Sequence, residues 1–213
     1  VAFLDDDVVP GPTWLHELLN AQHQFHADAV GGPALPLLAA TAPEWLRKGA
    51  FLQVPRHRPA TGSVVTELAT CNLLVSRRLL DAYPGPFDAD FGLTGGEDTV
   101  LFRAAHRDGF RLVWADDAVV HEAVPAERAT LQWVLLRGMR EGSIVYRRSV
   151  LLREHRQLSR LARAGAVVLC GVMATATGLL RRDSVRVVAG LRRAADGTGR
   201  LLAAVGYCPK PYR

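Results

Sequence analysis

Near residue 128 the sequence changes its hydrophobic period, and that change limits the architectures open to it. Upstream, short apolar runs alternate with segments of helical spacing, the pattern of an α/β layered arrangement. Downstream, apolar positions recur three and four apart over long stretches, with arginines on the other faces, as in packed helices. Charge divides at the same place: residues 1–127 carry 9 Lys and Arg against 17 Asp and Glu, a net of −8, and residues 128–213 carry 17 against 4, a net of +13. Two regions with different work are expected, 1–127 and 128–213.

With 213 residues and 49% hydrophobic content, the chain can build one substantial core plus an appendage, and its composition is not that of a disordered protein. Cys71, Cys170 and Cys208 lie far apart with no paired spacing. That argues against a disulfide framework or zinc cluster and for a reduced, cytosolic setting.

Within the first region, "VAFLDDD" predicts a strand ending in a loop, and "PTWLHELLNAQHQFHA" a helix started by Pro12 and Thr13. "DAVGGPALP" predicts a strand broken at its glycines and prolines. Residues 36–63 hold four prolines and two glycines, the composition of a long surface loop with one helical turn. "VVTELATCNLLVSRR" reads as a strand or strand pair, "RRLLDAY" and "EDTVLFRAAHRDG" as helices, the latter closed by Gly109, and "FRLVWADDAVVHE" as strand, turn and strand.

Three constellations in this framework can carry chemistry. Asp5, Asp6 and Asp7 stand together at a strand end. Residues two apart in an extended chain point the same way, so Asp5 and Asp7 can present hard oxygen ligands to Mg²⁺ or Mn²⁺; an acidic turn capping the next helix is the alternative. "TGGED", residues 94–98, opens a helical run. Its glycines admit close approach of a ligand, and a carboxylate there can act as a general base or simply favour the helix start. His121 ends an apolar strand, either completing a metal site or closing the strand.

Taken in order, "FLDDD" and "TCNLLVSRRLLDAYPGPFDADFGLTGGEDTVLFRAAHRDGFRLVWADDAVVHE" resemble the C-terminal part of the catalytic domain of family 2 glycosyltransferases, over roughly residues 1–150. The resemblance implies a GT-A, Rossmann-like nucleotide-diphospho-sugar transferase domain followed by a helical region. It implies that Asp7 and Asp5 hold Mn²⁺ or Mg²⁺ with His121, Asp5 also lying near the ribose and Asp6 in support. Asp98 would take the proton from an acceptor hydroxyl, with inversion at the anomeric carbon. Glu97, Gly95, Gly96 and Asn72 would lie along donor or acceptor, and Trp133 would stack on a sugar or pack in the core. The implied partners are a nucleotide-sugar donor and a saccharide or lipid-linked acceptor, in cell-envelope or exopolysaccharide synthesis.

Departures from the family pattern qualify this. The family carries a nucleotide-binding half ahead of the D-x-D, whereas here Val1 already opens a strand, so the chain is expected to be a fragment lacking that half. The Q-x-x-R-W of processive synthases is unmatched, because Gln132 and Trp133 are adjacent. A haloacid-dehalogenase-like phosphatase would also use "DDDVV" but needs a lysine, and only Lys48 and Lys210 occur. A non-catalytic membrane-associated assembly module is the remaining alternative.

The basic region argues against nucleic acid, since few aromatics interleave with its arginines. An uncharged run, residues 164–180, is bracketed by Arg160, Arg163, Arg181 and Arg182. In-plane, spanning and core placements are all open to such a helix, and a location at the cytoplasmic face of the membrane is expected.

Overall fold

The structure, a computed structural model, describes residues 1–54, 58–83, 85, 96–154 and 156–207. They form two compact units. The first takes in described residues of Val1–Leu37, Leu52–Gly92 and Glu97–Val124; the second takes in those of Leu38–Phe51, Leu93–Gly96 and Pro125–Arg213.

The first unit is mixed α/β. Its strands are β1 (Ala2–Leu4), β2 (Val8–Pro10), β3 (Ala29–Gly31), β4 (Ala34–Leu37), β5 (Asn72–Val75), β6 (Leu112–Trp114) and β7 (Val120–Ala123); its helices are α1 (Trp14–Phe25), α3 (Arg77–Ala82) and α4 (Glu97–Arg107). One sheet has the order β1-β5-β3-β6, with β3 and β6 parallel and the other pairs antiparallel. A second has the order β2-β7-β4, antiparallel then parallel.

Alternation along the strands explains the layers. Leu73, Val75, Leu112 and Trp114 pack with Leu79 of α3 and with Leu101 and Phe102 of α4 on one side of the first sheet. Leu74, Val30 and Val113 pack with Leu18 and Ala21 of α1 on the other. A sheet covered on both faces needs runs without polar alternation, hence "NLLV" and "LVW". Each leucine so buried contributes about 1.5–3 kcal/mol. Gly109, at φ +89°, closes the α4 end where a left-handed residue is needed.

Asp28 is tied into this layer although only 7% exposed. Its carboxylate accepts from Arg78 Nε (2.9 Å) and Nη2 (2.6 Å) and from the Arg111 backbone N–H (2.9 Å). Removing it leaves the Arg111 N–H without its acceptor. Asp28→Ala should therefore lower unfolding stability by about 1–3 kcal/mol, measured by urea titration, whereas a change under about 0.5 kcal/mol would assign the carboxylate no structural part.

Two expectations are refined. "DAVGGPALP" forms two strands in different sheets, because Gly32 and Pro33 turn the chain between β3 and β4. The segment after the aspartates is not simply a loop: Val8–Pro10 is β2, held antiparallel against β7.

The second unit holds α2 (Glu44–Lys48), the helical turn expected in the proline-rich segment, and three long helices, α5 (Leu131–Leu151), α6 (Gln157–Leu180) and α7 (Ser184–Ala204). Thr130 caps α5 by accepting from the Trp133 N–H, and Asp183 caps α7 by accepting from Arg186. Backbones meet at small residues. A side chain at Gly171 would collide with Ala194 and Gly190, at Gly178 with Val187, and at Gly197 with Val168 and the Ala164 carbonyl, so α6 and α7 run antiparallel in contact along most of their length. Gly138 and Gly142 bring α5 equally close to Arg192 and Asp196 of α7.

Candidate functional site

In the first unit the aspartate run is the passage from one sheet to the other. β1 ends at Leu4, paired with Asn72, and β2 begins at Val8, paired with Glu122. Between them the Asp5 N–H donates to the Cys71 carbonyl (3.5 Å) and the Val8 N–H donates to the Asp5 carbonyl (3.5 Å), closing a turn over Asp6 and Asp7. All three aspartates are exposed.

Glu97 and Asp98, some ninety residues later, come to the same place. They open α4, where acidic side chains complement the helix dipole. Asp98 accepts from the Thr70 N–H (3.3 Å), the Thr99 N–H (2.6 Å) and the Thr99 hydroxyl (3.2 Å). Its carboxyl is nevertheless pushed up from the usual aspartate value: burial outweighs those hydrogen bonds, and the Glu97 charge adds to it. Partial burial, then the charges of Asp7, Asp6 and Glu97, push Asp5 up as well. The buried Glu97 Oε2 takes no hydrogen bond among the described residues.

Cys71 reports the same field from the centre. Burial, then Asp5, Asp98 and Glu122, push its thiol up to about 12, so it stays protonated and is no nucleophile at neutral pH. Glu122 was not among the residues singled out from sequence. Strand alternation could have found it, because Val120 and Glu122 share one face of β7, the face that packs Val120 with Val8, Ala34 and Cys71.

That alternation separates His121 from this group. Paired with Val9 and Leu35, it points to the face of the second sheet opposite to Glu122. Among the described residues no three His, Cys, Asp or Glu side chains come together as metal ligands.

Asn72 is a brace. It is 2% exposed, donates to the Pro33 (3.2 Å) and Ala118 (2.7 Å) carbonyls and accepts from Trp14 Nε1 (2.7 Å). Its amide joins α1, β5 and the approaches to β4 and β7, with no N–H left for a ligand. Asn72→Leu should cost roughly 2–4 kcal/mol by thermal denaturation, since it strands the indole N–H and two carbonyls; a loss in binding without a loss in stability would return Asn72 to the ligand.

The remaining candidates lie elsewhere. Gly95 is outside the described residues. Gly96, at φ +101°, belongs to the second unit, where a side chain would strike Ile144. Trp133 also belongs to the second unit, half-buried on α5 with the Arg137 guanidinium 5.3 Å from its ring centroid, so one ring face is already covered.

The described carboxylates thus make one acidic cluster in the first unit, built from a turn, a helix start and a strand end. No protein-family model matches the chain. One sequence match is close. Over 189 residues the chain is 37% identical to the succinoglycan biosynthesis protein ExoM of Rhizobium meliloti (strain 1021). The match takes in 87% of this chain and 59% of that protein, so the chain spans about three fifths of the relative's length.

Proposed function

We propose that this chain is part of a glycosyltransferase of exopolysaccharide synthesis, carrying a sugar from a nucleotide-sugar donor to an acceptor hydroxyl with inversion. The observation that carries the reading is the convergence of the Asp5–Asp7 turn with the Glu97–Asp98 helix start. The similarity to a succinoglycan biosynthesis protein supports the substrate class, and the ordered motifs support a GT-A, family 2 origin.

Asp98 is the proposed base. Three hydrogen bonds fix its orientation, and its raised proton affinity suits it to accept a hydroxyl proton. Glu97, just before it in the same helix turn, would accept from a sugar hydroxyl through the oxygen that takes no hydrogen bond among the described residues.

Mn²⁺ or Mg²⁺ fits the aspartate side of the cluster. The donors are hard oxygens, their mutual repulsion favours a cation, and such ions are commonly held by one or two carboxylates with substrate phosphates completing the shell. Asp7 and Asp5 would hold the ion, with Asp6 supporting the turn. Bound there, it would supply charge stabilisation to the departing nucleoside diphosphate. His121 and Glu122, adjacent on β7 and facing oppositely, are the competing further ligands.

Calorimetry with Mn²⁺ and a nucleoside diphosphate tests this. Asp7→Ala should abolish the heat of binding, and comparison of His121→Ala with Glu122→Ala identifies the further ligand. An isotherm unchanged by Asp7→Ala would remove the turn from the metal site.

A further inference from the structure

We propose that α6 docks in the plane of an anionic lipid surface through its outward face. This holds independently of whether the acidic cluster transfers sugar. Among the described residues α6 is a helix long and apolar enough to cross a membrane, yet little of its apolar window is buried. Its small residues Ala164, Gly171 and Gly178, seven apart, are the buried ones, and they face α7. The opposite side presents Leu169, Val172, Met173, Ala176, Leu179 and Leu180 to the outside, Leu169 being 63% and Leu180 86% exposed. At 1.5 Å per residue, Gly165 to Leu180 gives roughly 24 Å of uncharged surface. A soluble helix bundle does not normally leave so long a stripe of large apolar side chains uncovered.

Charge identifies the occupant. Arg163 and the exposed pair Arg181 and Arg182 stand at the two ends of the stripe, and residues 128–213 carry a net +13. A second copy on this face would bring +13 against +13, whereas acidic headgroups neutralise it. An apolar face with basic residues at its margins is the pattern of an interfacial helix.

The same packing argues against a spanning helix. α7 runs against α6 from the Gly178–Val187 crossing to the Ala164–Gly197 crossing, and over that length α7 carries Arg192, Arg193 and Asp196, with Arg186 and Arg200 just beyond. Inserting α6 across a bilayer would either draw those charges into hydrocarbon or break the glycine contacts. Lying flat, α6 buries its outward face and leaves α7 on the aqueous side.

Vesicle flotation of the 213-residue chain tests the orientation. With phosphatidylglycerol at about one third of the lipid the chain should float, and in pure phosphatidylcholine it should not. High salt or alkaline carbonate should release it. The double variant Leu169→Glu, Met173→Glu changes two exposed residues and should weaken binding at least about tenfold with an unchanged melting temperature; Arg181→Glu with Arg182→Glu should weaken it too. Four results would overturn the proposal: no flotation with the anionic vesicles, retention through carbonate, glutamate variants that float like the wild type, or a lipid-free dimer in sedimentation that the glutamates dissociate. Retention would indicate a spanning helix, and the dimer a second copy on this face.

Discussion

Replacing Asp98 by asparagine should lower sugar transfer by about 10²–10⁴-fold, the contribution usual for a positioned general base. The substitution keeps one of the two carboxylate oxygens: with it at the Oδ1 position the Thr99 N–H retains its acceptor while the Thr70 N–H loses its own, so the start of α4 and the metal–diphosphate isotherm should survive. The pH dependence follows from the direction of the Asp98 shift. A base works only when ionised, and burial with the neighbouring Glu97 charge raises the pH at which Asp98 ionises. Activity should therefore rise with pH through an acid limb lying above the ordinary aspartate range, and the asparagine variant should lose that limb. Full activity in Asp98→Asn would sink the assignment of Asp98 as the base.

The second large effect is expected on stability, in the helical unit. Arg192 is 3% exposed, and its guanidinium Nη2 is hydrogen-bonded to Glu141, which also accepts from Arg137 Nε (3.0 Å). Glu141→Ala leaves a cation among packed helices without that carboxylate. Removing one partner of a buried pair costs about 3–5 kcal/mol; because Glu141 keeps some contact with solvent, the lower figure applies, about 3 kcal/mol or roughly 6–12 °C in melting temperature. Combining it with Arg192→Met should restore most of the loss, because the cost lies in the orphaned charge and not in the missing bridge. A single variant within about 0.5 kcal/mol of wild type would show that water or another acceptor reaches Arg192.

Much of the first unit was readable before its structure. Helices α1, α3 and α4 sit between Pro, Ser and Gly signals that leave few alternatives, and the apolar runs of β5 and β6 declare strands buried on both faces. The shift to helical period near residue 128 marks α5 to α7. What was missed has physical reasons. β2 has three residues, too few to show alternation, and it contains a proline that weakens a strand reading; only pairing with β7 makes it a strand. At the site, Glu122 was passed over beside His121, although period two in "VVHE" puts the two on opposite sides of β7 and Glu122 on the side of Val120. The ordered motif sets Asn72 near the ligand, and the three hydrogen bonds that also tie it into the framework come from segments far apart in the chain. The seven-residue spacing of Gly171 and Gly178, answered by Gly190 and Gly197, was visible as a pattern. Its meaning as a close helix crossing depends on which faces meet, and that is a tertiary fact.

The turn at Asp5–Asp7 has a consequence for how this stretch can vary in length. Leu4 is in register with Asn72 in one sheet and Val8 with Glu122 in the other, so the three aspartates are a spacer of fixed count between two clamps. Deleting or adding a single aspartate would not merely alter the charge. It would slide β2 by one position against β7, turning Val8 out of its packing with Ala34 and Val120 and exchanging the sides on which the carboxylates emerge. Here the number of acidic residues is itself a structural parameter, tolerant of a change in side chain and intolerant of a change in length.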